Sequence, residues 1–355
     1  MGIDVMTKLN HTNEKLEKLK SRWSHKNSLL IVMQDNPDPD AIAASSALKE
    51  LSNRTADISC QIAYGGTIGR AENRELTHYL GLNFHPFREV DPGHFDLIAL
   101  VDTQPSTGNN PLPAEFLPDI VIDHHPVRPV TRSVTFTDIR KNYGATSTIL
   151  WEYLSAAKIT PEIPIATALL YGIRSDTQDL GREAIHADID AMEALYPLAN
   201  KRMLSQIQHG RVPSAYFQML TAALANTRIY EHCSICNIGD VTNADMIGEV
   251  AGLLLRHEQV DWVLCYGFYN ERLLISLRTQ DKEFQAGDVI RKIVHGVGTG
   301  GGHARMAGGQ IPLQAEKDLT SERNRLERLI RDRLLKTLGI KNKRGQTLVH
   351  MPPKT

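Results

Sequence analysis

Short apolar runs alternate with helical patterns along the first half of the chain. Four of these runs are typical of buried strands, because each is short, rich in large apolar residues and bounded by turn residues: SLLIVM, ADISCQIAY, FDLIALVD and DIVIDHH. Strands separated by helices usually form parallel sheets. We therefore expect an α/β fold, with an N-terminal parallel-sheet domain that carries helices on both faces.

The pattern changes in the second half of the chain. Residues 186 to 225 are expected to be wholly helical, and the strand-like RIYEHCSICNIG follows. VDWVLCYGFYNERLLISLRT predicts a hairpin across Tyr269 and Asn270, which indicates a second, smaller α+β domain. The predicted division is a first domain over 24–200, a helical linker over 201–226, the smaller domain over 227–338 and a tail over 339–355.

Composition limits the class of protein. The 355 residues suit two domains, and 41% hydrophobic with 23% charged residues is ordinary for a soluble globular protein. A formal net charge of -1 provides no general basic field, so a polyanion would have to be held locally, by a metal or a few arginines. No run approaches the roughly 18 apolar residues of a membrane span. We expect a cytoplasmic protein with no membrane partner.

Four cysteines are too few for a disulfide scaffold in a chain of this length. Cys233 and Cys236 form a CxxC, but a structural zinc site needs a second pair of ligands nearby. Because they lie in an alternating, strand-like stretch, ordinary strand cysteines are the favoured interpretation.

Acidic and imidazole side chains follow successive predicted strands. Each alone has an ordinary explanation as a turn residue or helix cap. In a parallel sheet, however, the carboxyl ends of the strands meet at one edge, where repelling carboxylates need a cation. Carboxylates with imidazoles suit Mn²⁺ or Mg²⁺, and a carboxylate shared by two ions would complete a two-metal hydrolase. The residues are Asp38, Asp40, Asp102, Asp123, His124, His125 and Asp176.

The motifs around these residues resemble a known family. NPDPDA, VDTQ, IDHH and GIRSDT are similar, in order, to the four N-terminal motifs of DHH phosphoesterases. GTGGGHARMAGG, residues 298 to 309, resembles the glycine-rich signature of the C-terminal domain associated with that family. Five motifs in order are much more specific than the DHH tripeptide alone. The most similar branch contains oligoribonucleases and phosphoadenosine-phosphate phosphatases, relatives of the RecJ exonucleases.

The resemblance implies two Mn²⁺ or Mg²⁺ ions. Their ligands would be Asp38 in the first site, Asp40, His124 and Asp176 in the second, and Asp102 between the two. It also implies that Asp123 orients an imidazole and that His125 faces the substrate phosphate. The implied catalytic set is Asp102, Asp123, His124 and His125.

One position departs from the family pattern. Four residues before Asp38, the oligoribonuclease branch usually has a histidine ligand, whereas this chain has Gln34. A neutral amide oxygen is a weak or absent ligand, so the first metal should be held less tightly. The RecJ branch has an aspartate where this chain has Asn36. Gln34, Asn36 or water would complete the coordination shell of the first metal, unless the substrate brings that metal with it.

The resemblance also implies a substrate-binding set in the second domain. Arg278, on the strand LLISLRT, and His303 would bind the nucleotide. Consecutive glycines let backbone N–H groups approach an anion closely, although an isolated run of this kind is usually a flexible turn. Arg174 is a further phosphate candidate, with an ion pair that holds its loop as the alternative. The glycines concerned are Gly300, Gly301 and Gly302.

The leading hypothesis is a metal-dependent phosphoesterase that cleaves short nucleotide substrates in a cleft between the domains. Its substrates would be oligoribonucleotides, linear or cyclic dinucleotides, or phosphoadenosine phosphate. A pyrophosphatase or polyphosphatase is an alternative, against which the glycine-rich signature argues. A nucleotide-binding regulator with a weakened metal site is another, although only Gln34 departs from the ligand pattern. The physiological substrate, the polarity of cleavage and a homodimer stay open.

Overall fold

The computed structural model describes residues 2–182, 184–281, 283–302, 305–314 and 318–349, except for the side chains of residues 2–10. The chain divides into two compact units, and the boundary falls between Arg211 and Val212. Each unit has its own sheet and its own core. No helix among the described residues is long and apolar enough to cross a membrane.

A parallel sheet forms the centre of the N-terminal unit. In the described part of the chain its strands are β1 (Ser28–Asp35), β2 (Ser59–Gly65), β3 (Phe84–Pro86), β4 (Leu97–Val101), β5 (Ile120–Asp123) and β6 (Phe136–Ile139). Their order across the sheet is β3-β2-β1-β4-β5-β6, and every pair of neighbours is parallel. The chain therefore reverses its direction of travel across the sheet between β1 and β4, and ligands bind at such a switch point in open α/β sheets.

The α-helices of this unit pack on one face of the sheet, where they share a single apolar core with residues from β1 and β4. They are α1 (Gly2–Trp23), α2 (Pro39–Ala56), α3 (Ala71–Leu80), α4 (Thr146–Ala156), α5 (Ile163–Thr177), α6 (His186–Leu195) and α7 (Lys201–Gln208). The parallel α/β domain is thus as predicted. α1, which the sequence did not predict, adds Leu16, Leu19 and Trp23 to the core.

The second face differs from the expectation of helices on both faces. Among the described residues it is covered by loops and short 3-10 helices, including Phe87–Glu89 and the segment from Leu112 to Phe116. Right-handed crossovers explain the location of these segments. All six strands are parallel, but β1, β2 and β3 follow one another toward one edge of the sheet, whereas β4, β5 and β6 follow one another toward the other edge. The connections between β4, β5 and β6 therefore fall on the opposite face. These connections contain no α-helix in the described chain.

The predicted continuous helix from 186 to 225 is wrong. The structure has α6, α7 and a third helix, α8 (Ser214–Asn226), with breaks at Pro197 and Pro213. Asn200 begins α7, because its side chain accepts hydrogen bonds from two backbone N–H groups of the first turn. The predicted linker divides between the units: α7 packs into the N-terminal core and α8 into the C-terminal unit.

A mixed sheet forms the centre of the C-terminal unit. In the described chain its strands are β7 (Arg228–Tyr230), β8 (Cys233–Asp240), β9 (Trp262–Tyr269), β10 (Arg272–Thr279), β11 (Thr299–Gly302), β12 (Met306–Pro312) and β13 (Gln346–Thr347). The order is β11-β12-β10-β9-β8-β7-β13, in which only the β8–β9 pair is parallel among the described strands. The helices are α8, α9 (Asp245–Leu254), α10 (Ala286–Val294) and α11 (Leu319–Thr337). The predicted smaller α+β domain is confirmed.

Three details of this unit refine the sequence predictions. The β9–β10 turn lies at Asn270 and Glu271, which have positive φ, one residue later than predicted. Part of the segment predicted to be a tail forms β13, which pairs with β7. Cys233 and Cys236 belong to separate cores on opposite faces of β8, so the CxxC is not a pair of metal ligands.

Candidate metal centre

The predicted metal ligands lie at the carboxyl edge of the N-terminal sheet. Asp38 follows β1 and begins α2, where its side chain accepts a hydrogen bond from the backbone N–H of Ala41 at 3.0 Å. Asp102 follows β4 directly, and His124 follows β5. The remaining ligands come from helices, as Asp40 lies in the first turn of α2 and Asp176 in the last turn of α5.

The Asp40 carboxylate is completely buried and lies against the amino end of α4. It accepts hydrogen bonds from the backbone N–H groups of Thr146 at 2.7 Å and Ser147 at 2.8 Å. Burial, followed by the Asp176 charge, raises the pKa of Asp40 to about 7. The positive end of the α4 dipole therefore only partly offsets the loss of hydration.

Asp102 has a left-handed backbone conformation, with φ of 61°, which turns its side chain at the end of β4. Its Oδ1 accepts a hydrogen bond from the hydroxyl of Thr146 at 2.8 Å. Its Oδ2 is buried and accepts no hydrogen bond from any residue that the structure describes. Burial and the Asp40 charge raise the pKa of Asp102 well above its usual range. An orphaned buried carboxylate oxygen of this kind fits a metal ligand.

The His124 ring is held so that one nitrogen faces the carboxylates. Its Nδ1 lies 3.0 Å from the carbonyl oxygen of Tyr143, and a carbonyl can only accept, so Nδ1 donates. Nε2 lies 3.3 Å from Asp176 Oδ2 and 3.6 Å from Asp102 Oδ1. Burial alone would lower the pKa of His124, but the surrounding carboxylates raise it well above its usual value. A divalent cation at Nε2 would take the place of that proton.

Asp123 orients the second imidazole of the motif. Its Oδ1 accepts a hydrogen bond from His125 Nδ1 at 2.8 Å, and its Oδ2 accepts one from Gln104 Nε2 at 2.6 Å. Burial alone would raise the pKa of Asp123, but the hydrogen bond from His125 and the nearby imidazoles lower it below its usual value. Asp123 is thus a buried, ionised partner for a ring that is one-third exposed.

Two sets of side chains could each hold one ion. Asp40, His124 and Asp176 form one set and Asp102, His124 and His125 form the other, with the ligand atoms of each set within 4.8 Å of one another. Carboxylate oxygen with imidazole nitrogen is a suitable donor set for Mn²⁺ or Mg²⁺. Asp38 belongs to neither set, although burial and then the Asp176 charge raise its pKa. The second predicted site is therefore assembled more completely than the first.

The two residues considered for the missing histidine differ in their surroundings. The side-chain oxygen of Asn36 accepts hydrogen bonds from the backbone N–H and hydroxyl of Thr67, at 2.9 and 3.3 Å. This oxygen holds the turn after β2, which argues against a role as a metal ligand. Gln34 is half-buried, and within the part of the chain that the structure describes its Oε1 has only a long contact, at 3.5 Å, with Asn109 Nδ2.

Sequence reasoning missed the amino end of α4, which supports the centre through Tyr143, Thr146 and Ser147. It also missed Gly172 of the GIRSDT motif. A Cβ at this position would lie 2.5 Å from Ser147 Oγ and 3.1 Å from Asp40 Cα. Only glycine therefore lets α5 approach α2 and α4 this closely. The glycine within an apolar helical pattern was the one available signal.

The predicted phosphate-binding arginines both have partners. Arg174 forms an ion pair with Asp179, which agrees with the alternative of an ion pair that holds its loop. Arg278 is half-buried on β10 and donates to the sulfur of Met306. His303 lies outside the described residues.

The predicted glycines form a strand, and the flexible-turn alternative is wrong for them. Gly300, Gly301 and Gly302 belong to β11, which pairs with β12. A Cβ on Gly300 would lie 3.2 Å from both Ile290 and Val294 of α10, whereas a Cβ on Gly301 would meet nothing within 4 Å. The first glycine is therefore explained by helix packing, and the second lies beside open space.

Comparisons with known proteins match both units. A model of the DHH family, N-terminal domain, matches residues 28–173, and a model of the DHHA1 domain matches residues 227–331. An uncharacterised protein of Methanocaldococcus jannaschii is 34% identical over 333 residues, which cover 92% of this chain and 67% of that protein.

Two solved structures share the fold. An exopolyphosphatase-related protein from Bacteroides fragilis has a TM-score of 0.69 at 14% identity, covering 92% of this chain and 97% of that one. RecJ from Thermus thermophilus, in complex with Mn²⁺, has a TM-score of 0.51 at 13% identity, covering 90% of this chain and 55% of that one. Both family models match in the expected order, and the site motifs lie at one edge of the first sheet. The chain therefore belongs to the DHH phosphoesterase family and carries a DHHA1 domain.

Proposed function

We propose that this protein is a metal-dependent phosphoesterase that hydrolyses short nucleotide substrates. The observation that carries the proposal is Asp102 Oδ2, a buried carboxylate oxygen that accepts no hydrogen bond from the described residues. It lies among carboxylates whose pKa values burial and mutual repulsion raise. A protein tolerates such a cluster when a cation compensates it.

We propose two bound ions. Asp40, His124 and Asp176 would hold one and Asp38 the other, with Asp102 between the two and Gln34 a weak ligand or none. When bound, Mn²⁺ or Mg²⁺ would supply an activated water and positive charge opposite the phosphoryl oxygens. Because RecJ, a neighbour in fold, was solved with Mn²⁺, this ion is the first to test.

His125 would bind the substrate phosphate. Asp123 accepts the hydrogen bond from Nδ1, which fixes the orientation of the ring. The other ring nitrogen would then face a phosphoryl oxygen or the leaving group. Gln104 prevents Asp123 from turning away, because Gln104 donates to Asp123 Oδ2 and accepts from Thr131.

The DHHA1 domain is proposed as the part that selects nucleotides. The predicted domain over 227–338 would supply Arg278, His303 and the backbone of Gly301 and Gly302 to the substrate. Support comes from Gly301, which is exposed and has open space where a Cβ would lie. Arg174 is a weaker candidate, since its ion pair with Asp179 would have to rearrange.

A substrate panel tests the proposal. Purified protein is assayed with Mn²⁺ and with Mg²⁺ on a short oligoribonucleotide, linear and cyclic dinucleotides, phosphoadenosine phosphate, pyrophosphate and polyphosphate, with Asp102→Asn as the inactive control. We expect metal-dependent release of mononucleotide or phosphate that the control lacks. Hydrolysis of polyphosphate alone would replace the nucleotide substrate with the polyphosphatase alternative. Nucleotide binding with no turnover of any substrate would favour the regulator.

A further inference from the structure

The C-terminal unit contains a cavity of about 530 Å³ that the proposed metal centre does not use. It lies between α11 and the strands β7, β8 and β9. Its volume is within the roughly 300–1,000 Å³ of small-molecule sites, but its walls are more polar than usual. The polar residues that matter are Arg228, Asn237, Tyr266, Glu327, Arg328 and Arg331.

The lining carries three guanidinium groups and one carboxylate. Glu327, Arg328 and Arg331 lie on one flank of α11, because residues three or four apart share a helix face. Arg228 is exposed on β7 and forms no ion pair or side-chain hydrogen bond with the residues that the structure describes. Among the described residues, Arg328 donates only to the carbonyl oxygen of Asn324, at 3.2 Å. Arg331 forms an ion pair with Asp332 at 3.0 Å, so Arg228 and Arg328 supply the excess of positive charge in the cavity.

The single carboxylate is already engaged. Glu327 Oε1 accepts a hydrogen bond from Asn237 Nδ2 at 3.0 Å. Burial and the Glu327 charge also raise the pKa of Tyr266, so the phenol beside Glu327 keeps its proton. The hydrogen bond from Asn237, on β8, holds Glu327 against the sheet. The guanidinium groups of Arg228 and Arg328 are left to attract an anion from solution.

This cavity and Arg278 lie on opposite faces of the same sheet. Tyr266 and Ile235, which line the cavity, belong to the core that α10 and α11 cover. Arg278 pairs in register with Val263, which belongs to the core on the other face. Directly paired residues point to the same side of a sheet, and a single small ligand cannot contact both faces.

We propose that the cavity binds a nucleoside monophosphate. Its phosphate would contact the guanidinium groups of Arg228, Arg328 and Arg331. Its nucleoside would form polar contacts with Asn237 and Glu327, beside the few exposed atoms of Tyr230 and Tyr266, which are otherwise buried. Bidentate guanidinium–phosphate bonds combined with polar groups for the base and ribose are the chemistry that such a ligand requires. This site goes beyond the proposed hydrolytic function and is independent of the metal centre.

Calorimetric titration of the full-length protein with 5′-AMP in EDTA tests the proposal, since hydrolysis is then excluded. The titration uses the Arg278→Ala variant, which removes the proposed nucleotide contact on the other face of the sheet. It is repeated in the same variant with Arg228→Gln and Arg328→Gln added together. Arg272→Gln is the matched control, because Arg272 is an exposed arginine of the same unit bonded to Gln310. Thermal unfolding checks that each variant is folded.

We expect AMP to bind in the Arg278→Ala background, and the double variant to weaken binding at least about tenfold, which is about 1.4 kcal/mol. Arg272→Gln should change nothing. Inorganic phosphate should bind more weakly than AMP, and adenosine should not bind. AMP binding that disappears with Arg278, or that survives the double variant, overturns the proposal. Phosphate that binds as tightly as AMP overturns the nucleotide assignment.

Discussion

Thr146 bridges Asp40 and Asp102: its backbone N–H donates to Asp40 at 2.7 Å and its hydroxyl donates to Asp102 at 2.8 Å. The first residue of α4 thus contacts two of the proposed metal ligands. Since the amino end of a helix carries partial positive charge, it also stabilises the ionised carboxylates. The geometry of the centre therefore depends on where α4 begins.

Thr146→Val should weaken metal binding without unfolding the protein. The valine keeps the backbone bond to Asp40 but removes the hydroxyl bond to Asp102, so Asp102 loses its orienting partner. Loss of such a supporting contact typically lowers metal affinity about 10–100-fold. Calorimetric titration with Mn²⁺ measures the change in metal affinity.

Thr148→Val is the matched control for this prediction. Thr148 lies on the same helix, is equally buried, and donates to the carboxylate of Asp188 at 2.6 Å. It should lower stability by a similar amount and leave Mn²⁺ affinity unchanged. Equal loss of affinity in both variants would show that general destabilisation, and not the contact with Asp102, is responsible.

The metal-free protein should lose stability as the pH rises from 5 to 8. Burial raises the pKa of Asp40 from 3.8 to about 7, so the folded state holds a proton that the unfolded state releases, and stability falls across that window. His124 acts in the same direction above pH 6.5, because its folded-state pKa is also raised. Thermal unfolding in EDTA at several pH values measures the slope. A stability that rises over this range would contradict the electrostatic description.

Asp102→Asn should stabilise the metal-free protein at pH 8. The amide removes a buried charge that Asp40 and its neighbours repel, while its oxygen can still accept from Thr146. The gain should be on the order of 1 kcal/mol. In excess Mn²⁺ the wild type should be more stable than Asp102→Asn, because only the wild type would bind the ion and gain the stability linked to binding. A variant that is less stable in EDTA at every pH would refute the prediction.

Gln34→His should raise Mn²⁺ affinity at the site beside Asp38. The amide oxygen of Gln34 is a weak donor with one long contact, whereas imidazole binds Mn²⁺ well. Wild-type activity should need more Mn²⁺ than binding at the Asp40 site does. Gln34→Ala is the control, and it should differ little from the wild type. Two equally tight ions in the wild type, unaffected by either substitution, would make Gln34 a spectator.

Gly300→Ala and Gly301→Ala should separate packing from substrate binding. The first Cβ would lie 3.1 Å from Gly308 O and 3.2 Å from Ile290, so it should lower the free energy of unfolding by about 1–3 kcal/mol. The second meets nothing within 4 Å and should leave stability unchanged. If the Gly301 backbone binds substrate, Gly301→Ala should raise KM with little change in kcat. Unchanged kinetics on every nucleotide would remove Gly301 from the site.

The sequence predicted the strands that lie in a clear apolar run. β1, β2, β4 and β5 were found because each lies in a short apolar run. β3 has only three residues, and β6, although as long as β5, has the polar Thr137 and Asp138 between its two apolar residues. The ligand aspartates were found because turn residues and strand ends are local features. The hydrogen bond from Thr146 to Asp40 was not predicted, because it joins residues more than a hundred positions apart in the sequence. Such contacts are set by packing and leave no local signal.

The separation along the chain between Asp38 and Asp176 has a consequence for biosynthesis. A nascent chain emerges at about 5–20 residues per second, and the N-terminal residues emerge first. Asp38 and Asp40 are exposed to solvent well before α4 and α5 have been made, and in water like charges repel only weakly. The carboxylates therefore become crowded only when the last turn of α5 docks beside α2. We expect metal loading to be a late event, which marks the completion of the N-terminal unit.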